Sequence, residues 1–163
     1  MQEGGGASVA TLPRTHARLL VVTIVAVVVD QVAKAIAGDV LEGGRRVAVL
    51  GEIFGFRLVR NPGGAFGVLS RAPLVFFAAS ALIVVGVLIW GWRSGQYPVA
   101  LGLIAGGGLG NFIDRLLQPP GPMRGRVVDF IDFSFWPTFN FADMAIVLGV
   151  GLLLAAEIRL RKV

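Results

Sequence analysis

Four long stretches of the chain are dominated by apolar residues: Leu19–Ala37, Pro73–Trp92, Pro98–Leu117 and Phe141–Ile158. Each is close to the ~20 residues that an α-helix needs to cross the hydrocarbon core of a bilayer. Pro73 and Pro98 stand where the first helical turn tolerates proline, and Pro119-Pro120-Gly121-Pro122 ends the third stretch. The link Arg93–Tyr97 is short, which makes the second and third stretches antiparallel neighbours. Arg46–Leu50 and Phe54–Val59 read as two short strands turning around Gly51-Glu52. The segment Asn61-Pro62-Gly63-Gly64-Ala65-Phe66-Gly67 reads as a tight glycine-permitted turn that leaves backbone groups open. Val127–Trp136 alternates loosely and is aromatic, which fits a strand or an interfacial segment. The pattern therefore predicts an all-α membrane protein of four transmembrane helices, with a small β-sheet between helices 1 and 2. Residues 1–15, Gly-rich and polar, are expected to form a disordered tail, and residues 16–163 one integral membrane domain.

The polar residues at the ends of these spans are not scattered. If the four spans alternate in direction, Asp30 and Lys34 at the end of span one reach the same face as Asn61, just before span two. Asn111, Asp114 and Arg115 at the end of span three arrive there too, as do Asp129 in the following loop and Asn140 and Asp143 at the start of span four. Asp30 and Lys34 are spaced i,i+4 and share a helix face, so they can pair, either to close the span or to brace a site. Asn111 stands three and four residues from Asp114 and Arg115, so these also face one way, and Arg115 is expected to pair with Asp114. A carboxylate at a bilayer edge is costly and marks a functional site by default. Asp129 and Asp143, fourteen residues apart, flank a loop that permits them to meet as an acid/base pair.

Composition narrows the chemistry. Charged residues make up 15% of the chain against ~25% in soluble domains, and mean hydropathy is +0.78. With no cysteine, disulfide and thiolate chemistry are excluded, and the single histidine, His16, lies near the N-terminus, which argues against a histidine-based centre. No metal and no cofactor are expected. The net charge of +5 comes from scattered basic residues beside apolar segments, so nucleic acid is not an expected partner. Arg14 and Arg18 before Leu19–Val29, with Ala35-Ile36-Ala37 beyond, imitate a secretory signal peptide, but Asp30, Gln31 and Lys34 interrupt the pattern. Basic residues fall on both faces, eight Arg beside the polar set and six Arg or Lys opposite, so their count leaves the orientation open; the compact terminal clusters lean toward termini inside.

Five blocks carry a resemblance: Asp30-Gln31-Val32-Ala33-Lys34, Asn61-Pro62-Gly63-Gly64-Ala65-Phe66, Gly107 to Arg115, Val127-Val128-Asp129-Phe130 and Phe139-Asn140-Phe141-Ala142-Asp143. In this order, from Leu19 to about Ile158, the chain resembles the type II signal peptidases, the bacterial lipoprotein signal peptidases. Gly64 stands where that family more often has Ala, and the Pro-rich segment before Arg124 is unusual for it. The resemblance implies an aspartic endopeptidase of the bacterial inner membrane, with four transmembrane helices, both termini cytoplasmic and a small extracytoplasmic sheet. It implies an active site near the outer leaflet, with Asp129 and Asp143 as the catalytic dyad. Asp30, Lys34, Asn61, Gly63, Phe66, Asn111, Asp114, Arg115 and Asn140 would bind substrate or support the site. The substrate would be a prolipoprotein whose cysteine carries diacylglyceryl, cut just before that cysteine by a monomer sensitive to globomycin-type cyclic peptides. Membrane lipids would be its other partners.

Two carboxylates held close do not both ionise easily, so one keeps a proton while the other accepts one from water. The main alternative is a small proton-coupled transporter, whose acids belong near the midplane of repeated halves; here they cluster at one end and no internal repeat is present. A purely structural subunit leaves the one-sided polar set unexplained. Asp132, three residues from Asp129, is expected to be an exposed loop carboxylate.

Overall fold

The structure, a computed structural model, describes residues 12–62 and 73–161. Gly63 and Phe66 of the predicted site, Met1–Thr11 of the predicted tail and Lys162 lie outside the described residues. Four helices, α1 Arg14–Val40, α2 Pro73–Ser94, α3 Pro98–Leu117 and α4 Phe141–Leu160, accompany four strands, β1 Val47–Leu50, β2 Phe54–Asn61, β3 Val127–Phe133 and β4 Trp136–Phe139. Three of the helices are long and apolar enough to cross a membrane: α1, α2 from Phe77 and α4. Helix α1 starts at Arg14, inside the stretch expected to be tail, because Pro13 supplies the carbonyl that receives the first turn's Ala17 N–H.

Helix α3 is central and packs on all three others. It does so by being narrow. A Cβ on Gly107 would strike the Ala142 carbonyl of α4, and one on Gly110 would strike the Asp30 carboxylate of α1. These two positions let three helix backbones close on one another at the polar end, as small residues do between membrane helices. Gly110→Ala therefore displaces Asp30, and we expect it to lower stability by about 1–3 kcal/mol, read as earlier thermal unfolding in detergent.

The sheet is larger than the pattern predicted. β1 and β2 form the expected hairpin after α1, but β3 and β4, inserted between α3 and α4, complete an antiparallel sheet in the order β1-β2-β3-β4. Only pairing distant in sequence reveals this, since β2 and β3 are separated by two helices. The β2–β3 register sets Val59 opposite Asp129 and Asn61 opposite Val127. Ala37 and Leu41 of α1 pack with Phe130 and Ile131 of β3 in a buried cluster that seats the sheet on the helices.

Asp132 corrects an expectation. It is 5% exposed on β3, not in an open loop. Arg46 Nε and Arg57 NH2 approach its two oxygens at 2.8 and 2.7 Å, and Thr138 of β4 donates at 3.1 Å. Burial opposes its charge, but the hydrogen bonds from Arg46 and Arg57 hold this carboxyl below the usual range. Arg46 also donates to the Gly51 and Glu52 carbonyls, so one buried acid ties together the β1–β2 turn, β2, β3 and β4.

Candidate active site

The start of α4 builds the centre of the site. Asn140 is the N-cap, with its side-chain oxygen accepting the Asp143 N–H at 3.0 Å, while Asp143 Oδ2 accepts the Asn140 N–H at 3.3 Å. This reciprocal capping box satisfies two of the helix's first N–H groups and fixes the Asp143 side chain at its positive end. A third, Ala142 N–H, donates to Asp30 Oδ1 of α1 at 2.9 Å. The same Asn140 has a second task. Its amide nitrogen lies 2.7 Å from Asp129 Oδ1, 3.1 Å from Asn111 Oδ1 and 3.3 Å from the Val128 carbonyl. Asn140 is fully buried, so its bonds have no water to compete with them.

Asp129 is 2% exposed. Its second oxygen accepts from Asn61 Nδ2 at 3.0 Å, across the β2–β3 pairing. Burial pushes its carboxyl up to about 7; the Asn61 amide pulls the other way, and the neighbouring charge of Asp143 adds to the rise. Asp143 Oδ1 accepts from Asn111 Nδ2 at 2.8 Å. The two carboxylates thus share a scaffold of three asparagines, Asn61, Asn111 and Asn140, and both line one cleft of about 200 Å³ with Arg115, Trp136 and Thr138.

Lys34 braces this scaffold from behind. Its Nζ is 2.8 Å from Asp30 Oδ2, 2.7 Å from Asp114 Oδ2 and 3.0 Å from Asn111 Oδ1, which uses all three ammonium donors. Asp114 also accepts the Val128 N–H of β3 at 3.0 Å. Lys34 forms an ion pair with Asp114, the acid expected to pair with Arg115, while Arg115 NH1 donates to the Asn111 carbonyl at 2.9 Å. The i,i+4 spacing puts Arg115 near Asn111, but Lys34 on α1 reaches the buried side of α3, where Asp114 points.

Of the predicted site residues, Asp30, Lys34, Asn61, Asn111, Asp114, Arg115, Asp129, Asn140 and Asp143 all join this connected set. Sequence reasoning missed Gln31. Its Nε2 lies within 3.3 Å of Asp30 Oδ2, the Gly110 carbonyl and Asp114 Oδ1. The signal was available: a glutamine inside an apolar helix, beside one ionisable residue and three before another. Among the described residues, no three His, Cys, Asp or Glu side chains are grouped to hold a metal ion.

The profile of the family described as signal peptidase (SPase) II matches residues 22–159. A lipoprotein signal peptidase of Rhodococcus jostii strain RHA1 is 42% identical over 146 residues, 86% of this chain and 74% of its own. One of Mycobacterium tuberculosis strain H37Rv is 39% identical over 162 residues, 96% of this chain and 80% of its own. Two solved structures described as bacterial membrane enzymes superpose with TM-scores of 0.77 and 0.74. The first is 31% identical and covers 88% of each chain; the second is 32% identical and covers 86% of this chain and 92% of its own.

Proposed function

The chain belongs to the signal peptidase II family, aspartic-type enzymes of lipoprotein signal-peptide processing, and on that premise we propose that Asp129 and Asp143 cut the prolipoprotein just before its diacylglyceryl-modified cysteine. The observation that carries this reading is the bridge through Asn140, whose side-chain amide holds the Asp129 carboxylate while its backbone N–H holds the Asp143 carboxylate at the same cleft.

Asp129, whose carboxyl keeps its proton to about pH 7, hydrogen-bonds the scissile carbonyl. Asp143, seated at the helix N-terminus, takes a proton from a water that attacks the carbonyl carbon. The Asp129 proton passes to the carbonyl oxygen, giving a tetrahedral diol. Its collapse returns a proton to Asp129, while Asp143 gives its proton to the leaving amine. Protons balance and no covalent enzyme intermediate forms. Arg115 at the cleft wall and Asn61 hold substrate backbone. Asp30, Lys34, Asp114 and Gln31 keep α1, α3 and α4 in register.

In this reading α3 also crosses the bilayer, which places both termini in the cytoplasm and the sheet and dyad near the outer leaflet. The lipid chains of the substrate then stay in the membrane while the peptide enters sideways. Purified protein tests this with a diacylglyceryl prolipoprotein beside the same precursor bearing an unmodified cysteine. The expected result is cleavage of the lipidated precursor alone, with the modified cysteine as the new N-terminus. Cleavage at another bond, or equal cleavage of both, overturns the proposal.

The pH dependence has a definite sign. Asp129 carries its proton below about 7 and loses it above, so the pair becomes two carboxylates and the general acid is gone. Activity is expected to fall about tenfold per pH unit well above 7, measured as kcat/KM. Stability moves the same way. The unfolded chain releases this proton near 3.8 and the native state near 7, so ionisation of this group lowers stability as pH rises between those values.

A further inference from the structure

At the end of the molecule away from the dyad, α1 and α2 are fastened together. The His16 ring stacks on Trp92 with centroids 4.3 Å apart and planes 8° from parallel, and His16 Nε2 lies 2.9 Å from the Trp92 carbonyl. Leu19 of α1 also packs on Gly91 of α2 one turn further in, while each helix packs more extensively on α3. Between them a cleft of about 400 Å³ opens, lined by Leu19, Leu20, Leu88, Ile89, Trp92 and Arg93. Both helices are apolar enough to span a membrane, so this cleft faces lipid.

Its residues follow an order. Four aliphatic side chains lie inward, an indole 45% exposed comes next, and a guanidinium follows in the last turn of α2. A phospholipid presents acyl chain, ester region and phosphate in the same order, and Trp and Arg favour the latter two levels. Among the described residues no carboxylate pairs with Arg93. The one acid among the described residues in the helix turns at this end, Glu157, accepts from the Tyr97 hydroxyl at 2.8 Å. Against it stand Arg14, Arg18, Arg93, Arg159 and Arg161. Any acyl chain suits the aliphatic wall, but the charge selects the headgroup. We propose that the α1–α2 cleft is a binding site for one anionic phospholipid, with its phosphate on Arg93 and an acyl chain against Leu20, Leu88 and Ile89.

Native mass spectrometry tests this on the purified full chain after exchange into micelles holding equal phosphatidylglycerol and phosphatidylcholine. The wild type is expected to retain phosphatidylglycerol about fivefold over phosphatidylcholine, the preference one surface cation confers. Arg93→Gln should bring that ratio near one while phosphatidylcholine is still held. Leu20→Trp fills the cleft, keeps the charge and should reduce retention of both lipids. Arg159→Gln, at the same end but off the cleft, should leave the ratio unchanged. Equal retention by the wild type, a preference that survives Arg93→Gln, or one lost equally in Arg159→Gln overturns the site. Each variant's thermal unfolding is recorded in the same micelles, so that a lost preference is scored only on folded protein.

Discussion

Asp129→Asn and Asp143→Asn should each lower cleavage of a lipidated prolipoprotein by at least about 10²–10⁴-fold, the range over which one acid–base group acts. Asparagine preserves shape at both positions. At 143 it still offers one oxygen to Asn111 or to the cap N–H, so the start of α4 survives. At 129 it loses the proton that burial holds to about pH 7 and the capacity to give it up. The unfolding midpoint in detergent should move little in either variant, which separates lost chemistry from lost structure. Near-wild-type turnover in either variant would remove that residue from the proposed dyad. The double variant should be scarcely worse than the singles, because two members of one proton-transfer unit do not contribute additively.

Lys34→Met has the largest expected effect on folding. The methionine fills the space of the lysine stem, but it leaves Asp30 and Asp114, both buried, without their common cation. Stranding a buried charge by removing its partner costs roughly 3–5 kcal/mol. The loss should appear as a large drop in unfolding midpoint, with cleavage falling in step. Removing both acids along with the cation, as Asp30→Asn, Asp114→Asn and Lys34→Met together, should recover part of that loss, since no uncompensated charge remains. A triple variant no more stable than Lys34→Met alone would show that the stability lies in packing rather than charge.

How far the chain could be read without coordinates depended on distance along the sequence. Asp30 and Lys34 were legible as a pair because a helix fixes i,i+4 neighbours whatever surrounds them. The convergence of Asn61, Asn111, Asp129, Asn140 and Asp143 was legible because consecutive helices joined by short links alternate in direction. Lys34 as a partner of Asp114 was not, because it lies on another helix and reaches Asp114 only across the buried side of α3. Asp132 misled for a related reason. Its carboxylate was expected to be exposed because the arginines that neutralise it lie 86 and 75 residues earlier. The second half of the sheet was hidden in the same way, since strands joined across two helices leave no local mark beyond loose alternation.

The double duty of Asn140 carries a consequence for biogenesis. One residue begins α4 and holds the acid of β3, so on the proposed function assembling that helix and completing the dyad are a single event. On that reading, a nascent chain made only as far as β3 has Asp129 and Asn61 but neither Asn140 nor Asp143. Such an intermediate would be inert toward the precursors around it. On the proposed function, proteolytic competence then waits for α4, a safety catch written into the order in which the site is made.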